Sequence, residues 1–164
     1  MSDEQHVLRV RIGHYEVRGR CPQLLKATLG SCVGIAILWR QRARYALAHC
    51  LLPRSPQPAP GPGARYVDQA IASMLQDLEV DPPQYGELEV HVAGGGNMTQ
   101  RAHTAGPASH IGQLNVEAAV RQLTYRGLAI HSEDVGGCHA RQIMLDCLTE
   151  QVTVVRVPVP DKHD

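Results

Sequence analysis

The sequence predicts an α/β layered sandwich, sheet-rich, with two amphipathic helices packed on the sheet faces. Short apolar runs, several alternating with period two, recur at residues 7–12, 33–39, 43–52, 88–92, 142–148 and 152–157. Two stretches, 65–79 and 115–126, instead space their apolar residues for one face of a helix. Because these helices interleave with strands, their apolar faces must lie on a sheet. At 164 residues with 43% apolar content, residues 1–164 are expected to form a single domain with an adequate core.

In the first strand Leu8, Val10 and Ile12 face inward and Val7, Arg9 and Arg11 outward; Gly13 and His14 bend the chain into an extended 15–17. Residues 24–29 lead into Gly30-Ser31-Cys32, and 33–39 and 43–52 read as antiparallel strands around the polar tip Arg40-Gln41-Arg42. Residues 53–64 alternate proline and glycine, which excludes helix and sheet; an exposed connector is expected, placed where it could border a cleft. The helix over 65–79 carries Val67, Ala70, Ile71, Met74, Leu75 and Leu78 on one side, Met74 as core filling. A half-exposed strand follows at 88–92, then Gly94-Gly95-Gly96-Asn97, which lacks the lysine and helix signature of a phosphate loop. Three glycines suit close packing of chain on chain. Residues 99–110 are polar and irregular, Asn115 reads as a helix N-cap with Gly127 as the stop, and 128–130 returns as a strand. Glu133 and Asp134 point to opposite faces and cannot share a substrate as an acid/base dyad; Arg141 is expected to pair with one of them.

Sixteen basic and sixteen acidic residues cancel, and no basic cluster interleaves with aromatics, so no nucleic-acid or membrane surface is expected. The N-terminus lacks an apolar signal segment and no run approaches the length of a membrane span, which points to the cytoplasm. The five cysteines, Cys21, Cys32, Cys50, Cys138 and Cys147, include no C-x-x-C pair, so neither a disulfide framework nor a zinc site is expected; no metal is assigned.

With a turn centred between Arg40 and Gln41, Trp39 faces Arg42 and Cys32 falls opposite His49, on one face of the sheet. A thiol and an imidazole so placed suit nucleophilic catalysis, because a neighbouring imidazolium lowers the thiol pKa. Gly30 and Ser31 form an open turn whose N–H groups would hold an oxyanion, and Asn97 would orient a substrate amide. A buried cysteine in a small-residue strand, followed by an unrelated histidine, fits the same two residues.

Six pieces in order narrow the choice: Leu29-Gly30-Ser31-Cys32-Val33, His49-Cys50-Leu51-Leu52-Pro53, residues 65–71, residues 93–98, residues 111–118 and Glu133-Asp134-Val135-Gly136-Gly137. Together they resemble the chemoreceptor glutamine deamidase family, CheD. The resemblance implies a cytoplasmic enzyme that hydrolyses receptor glutamine side chains to glutamate without a cofactor. It implies Cys32 as nucleophile, His49 as base and Thr28 as the residue completing the site, with the glycines around Gly95 forming a wall of the substrate cleft. It further implies partners: the cytoplasmic region of methyl-accepting chemotaxis receptors, and a CheC-type phosphatase that the protein would bind as a non-catalytic regulator. The residues alone leave open a cysteine hydrolase of small amides.

Overall fold

The computed structural model describes residues 5–98 and 110–158. Among these, β1 (His6–Arg9), β3 (Gln23–Leu29), β8 (Ala140–Asp146) and β9 (Gln151–Val157) form a four-stranded sheet in that order. A five-stranded sheet runs β2 (Tyr15–Gly19), β5 (Arg44–Cys50), β4 (Val33–Trp39), β6 (Glu89–Gly94), β7 (Ile130–Val135). The β1–β3 and β6–β7 pairs are parallel and the others antiparallel. Both α1 (Val67–Leu78) and α2 (Ile111–Tyr125) pack on the five-stranded sheet.

The layers follow from the apolar pattern. One core lies between the sheets and includes Leu25, Leu29, Ala36, Leu47, Ile143 and Leu145. The other lies between the five-stranded sheet and the helices and includes Ile35, Ile37, Ala48, Ile71, Met74 and Leu123. Strand β4 alternates between them, so all seven of its residues are buried and it reads as a continuous apolar run. Strand β8 faces one core only, burying Arg141, Ile143 and Leu145 and turning Gln142 and Met144 outward. This is the layered α/β class expected, with both helices on the same face of one sheet. Met74 and the rest of the expected α1 stripe are buried.

One local expectation is corrected. Asn115 is not an N-cap: α2 begins at Ile111, which puts Asn115 in its second turn, fully buried. The proline-rich segment is, as expected, a largely exposed connector outside helix and strand, and it is tied to α1: the Ser55 N–H donates to the Asp68 carboxylate at 3.0 Å, the Gly63 N–H to Ser73 Oγ at 3.1 Å, and Gln69 Nε2 to the Gly61 carbonyl at 2.8 Å. It borders a cavity of about 520 Å³ shared with Ser73, Gln122 and Arg126, which neither Cys32 nor His49 lines. The expected irregular stretch 99–110 lies outside the described residues except for His110.

Arg141 pairs with Asp134, as expected, Nε to Oδ1 at 2.9 Å. Its guanidinium also donates to the carbonyls of Gly94, His139 and Gly136, and only 2% of the residue is exposed. One planar fork therefore ties the ends of β6 and β7 to the start of β8. Arg141→Met is expected to lower stability by about 3 kcal/mol, because the Asp134 carboxylate and the half-buried Gly136 and His139 carbonyls lose their donor, and Arg141→Lys is expected not to restore it, because an ammonium cannot reproduce the fork. Urea denaturation of the three proteins checks both statements.

Candidate active site

The Gly30-Ser31-Cys32 turn sits where the chain leaves the four-stranded sheet at the end of β3 and enters the five-stranded sheet at β4. Cys32 is 6% exposed and belongs to the core between the sheets. His49 is the penultimate residue of β5 and 4% exposed.

Their register differs from the expected one. The tip is a 3₁₀ turn, Arg40–Arg42, closed by Ala43 in the left-handed conformation at φ 51°, so the connection is longer than a two-residue turn. Trp39 therefore faces Arg44, and His49 faces Gly34 rather than Cys32. A slip of two residues preserves the side-chain face, whereas a slip of one would have reversed it. Cys32 thus lies on the same side as His49, as its diagonal neighbour, a spacing of about 7–8 Å between backbones that a ring side chain spans. Cys50 faces the helix layer instead.

The imidazole is held in one tautomer. Its Nδ1 lies 2.9 Å from the Val10 carbonyl oxygen. A carbonyl only accepts, so Nδ1 carries the hydrogen and Nε2 keeps its lone pair. Nε2 is buried and, among the described residues, has no hydrogen-bond partner. The hydrogen-bond partner of His49 Nδ1 is thus a backbone carbonyl, not Thr28. Thr28 lies on the exposed face of β3, between the inward-facing Ala27 and Leu29, and its hydroxyl accepts from Gln142 Nε2 at 3.4 Å.

The other expected site residues divide. Gly30 and Ser31 lie in the turn, where the Gly95 N–H donates to the Cys32 carbonyl at 2.8 Å and the Gly96 N–H to the Gly30 carbonyl at 2.9 Å. Gly95 and Asn97 also line a cavity of about 430 Å³ with Gln113, Val116 and Gly137, and neither Cys32 nor His49 opens onto it. The triple glycine packs chain on chain: at Gly94 an added Cβ would stand 2.2 Å from the Cys32 carbonyl oxygen, and at Gly112 of α2 one would stand 2.4 Å from the Gly96 oxygen. The sequence reading missed Asn115. Its Nδ2 donates to the Ser31 carbonyl and to the Leu51 carbonyl, each at 3.0 Å, bridging the Gly30-Ser31-Cys32 turn and the end of the histidine strand.

Residues 51–156 match the family model described as CheD chemotactic sensory transduction. The chain belongs to the CheD family. It is 34% identical to a probable chemoreceptor glutamine deamidase CheD 2 of Ruegeria sp., covering 92% of each chain, and 39% identical to a probable chemoreceptor glutamine deamidase CheD of Bdellovibrio bacteriovorus, covering 78% of this chain and 81% of that one. The family model's match begins at Leu51, but an alignment over 92% of the chain necessarily includes both Cys32 and His49. Among solved structures, YlmD from Geobacillus stearothermophilus overlaps with a TM-score of 0.46 at 15% identity, over 76% of this chain and 51% of that one. The resemblance read from the six motifs is borne out at the level of the family. No helix among the described residues is long and apolar enough to cross a membrane.

In this CheD chain burial sets the resting protonation of the pair. It pushes the Cys32 thiol above its ordinary value of 9.0, its own backbone N–H working in the opposite direction. It pulls the His49 imidazole below its ordinary 6.5, the Val10 carbonyl opposing. Both shifts disfavour the charged form, so near pH 7 the pair rests as neutral thiol and neutral imidazole, not as the thiolate and imidazolium expected from the sequence. Alkylation of Cys32 by iodoacetamide should accordingly be slow at pH 7 and still be rising above pH 9.0. A rate already on a plateau at pH 6 would show a preformed ion pair. The same shifts bound stability. His49 contributes stability above 6.5 that is lost as pH falls through its lower folded value, and Cys32 contributes stability below 9.0 that is lost as pH rises through its higher one.

Proposed function

We propose that this protein is a cysteine-dependent protein-glutamine deamidase acting on the cytoplasmic region of chemoreceptors. The relatives' names supply the substrate class, and the observation that carries the chemistry is the locked imidazole, whose only free nitrogen is a base on the face of the sheet that also bears the Cys32 thiol. A neutral thiol and a buried base suit a mechanism in which the proton moves as the substrate is attacked.

His49 Nε2 takes the proton from Cys32 Sγ as the sulfur bonds to the side-chain amide carbon, and the carbonyl electron pair moves onto oxygen. The N–H groups of the Gly30-Ser31-Cys32 turn receive that oxyanion. The pair returns, the C–N bond breaks, and the imidazolium gives its proton to the departing ammonia. A water deprotonated by His49 then hydrolyses the thioester, leaving glutamate and the free thiol. No metal or cofactor takes part in this scheme.

Purified receptor cytoplasmic fragments incubated with the protein, digested and read by mass spectrometry, should show amide-to-acid conversion at particular glutamines. Absence of conversion across the organism's receptors, by folded protein whose Cys32 still alkylates, would overturn the deamidase reading in favour of a binding module for a CheC-type phosphatase.

A further inference from the structure

Three consecutive carbonyls of the nucleophile turn are each held by a donor: Gly30 by the Gly96 N–H, Ser31 by Asn115 Nδ2, and Cys32 by the Gly95 N–H. In a trans peptide the C=O and the following N–H point in opposite directions. Fixing the Ser31 carbonyl toward α2 therefore fixes the Cys32 N–H away from α2. Among the described residues neither that N–H nor the Ser31 N–H donates to another backbone carbonyl. Two of the three clamps are main chain and would survive almost any substitution. The middle one is a single side chain.

We infer that Asn115 is a positioning residue that preforms the oxyanion site, by holding the Ser31–Cys32 peptide with the Cys32 N–H directed at the reacting centre. The inference rests on the deamidase reading above. Asn115 is fully buried in the second turn of α2, and the Ser31 and Leu51 carbonyls it meets are both acceptors, so only its amide nitrogen fits there. The second bond, to the Leu51 carbonyl, lies two residues beyond His49. One amide thus sets the nucleophile turn against the strand that carries the base. Gly112, one turn earlier, lets α2 approach closely enough, since a Cβ added there would stand 2.4 Å from the Gly96 oxygen and 2.6 Å from the Gly95 oxygen. An aspartate at 115 keeps the shape but offers carboxylate oxygens to two carbonyls, so the peptide loses its clamp and is free to turn over.

The test compares wild type with Asn115→Asp and Asn115→Ser, the latter restoring one donor. Turnover is measured on receptor fragments, alkylation of Cys32 by iodoacetamide across pH, and melting temperature on each protein. Alkylation forms no oxyanion, so it reports thiol and base alone. Asn115→Asp is expected to lower kcat about 10²-fold with KM within about threefold and the alkylation profile unmoved, and Asn115→Ser to recover part of kcat. Equal loss in kcat and alkylation, or a lower melting temperature with kcat retained, would overturn the inference and leave Asn115 a packing residue. A further measurement needs no variant. Butanal adds to a cysteine as a hemithioacetal: sulfur bonds to the aldehyde carbon, the carbonyl pair moves to oxygen, and the thiol proton, passed through His49, ends on that oxygen. In labelled wild type the Cys32 amide proton should move downfield as the adduct forms, and no movement on formation of the adduct would also overturn it. Wild type that forms the adduct yet converts no receptor glutamine separates failure of the deamidase reading from failure of this one.

Discussion

Cys32→Ser should lower the deamidation rate of receptor glutamines by at least about four orders of magnitude with little change in stability. The substitution is nearly isosteric at a position 6% exposed, so the turn and its three clamped carbonyls remain. The chemistry does not. Burial already raises the thiol pKa here, and the same environment acts on a hydroxyl whose ordinary pKa is far higher, so His49 would have to take a proton from a much weaker acid. His49→Gln should cost about 10²- to 10⁴-fold, the range for a lost general base. A glutamine retains a donor for the Val10 carbonyl but offers no comparable base. The double variant should be about as slow as Cys32→Ser alone, since the two side chains act as one unit. Ammonia release and mass shift on the same fragments measure all three. Cys32→Ser retaining even a hundredth of the wild-type rate would mean that the sulfur is not the attacking atom.

How much of this was legible in the sequence depends on the range of the interaction. The stripe from Val67 to Leu78 and the run from Val33 to Trp39 were readable because each is a local period imposed by one neighbouring layer, or two. The shared face of Cys32 and His49 was legible for the same reason, but their register was not. It depends on a 3₁₀ turn with a left-handed Ala43, and nothing in Arg40-Gln41-Arg42-Ala43 announces that conformation. Asn115 misled because asparagine favours N-caps. Its burial in the second turn follows from two carbonyls contributed by distant segments, at Ser31 and Leu51. The partner of the imidazole was illegible in principle. It is the carbonyl of Val10, and every residue has a carbonyl; what selects it is the packing of the chain after β1 against the end of β5, where the Gly13 N–H also donates to the His49 carbonyl.

Gly94→Ala is expected to be the most destabilising of the glycine substitutions around the site, by more than about 3 kcal/mol. Gly94 combines a φ of 103°, which side chains rarely adopt, with a Cβ position 2.2 Å from the Cys32 carbonyl oxygen and 3.1 Å from Leu29 Cβ. Neither neighbour is the free end of a flexible chain. The oxygen belongs to Cys32, the proposed nucleophile, and it accepts the Gly95 N–H, so it cannot retreat without breaking that bond and turning the Cys32–Val33 peptide. Gly34→Ala offers the contrast: its Cβ would meet Leu29 Cδ1 at 2.9 Å and Ile143 Cγ2 at 3.0 Å, both ends of side chains that can shift, and its loss should be smaller, about 1–3 kcal/mol. At Gly30 the nearest atom is Met98 Cγ at 3.3 Å, on an exposed and flexible side chain, so Gly30→Ala should fold with nearly wild-type stability. Urea midpoints should therefore fall in the order Gly30, Gly34, Gly94. Activity should fall furthest at Gly94, even in conditions where that variant is folded, because the displaced atom is part of the proposed nucleophilic residue, Cys32. A Gly94→Ala protein as stable as Gly34→Ala would mean that the Cys32 carbonyl can move at little cost, and the clamped turn would no longer account for the placement of the thiol.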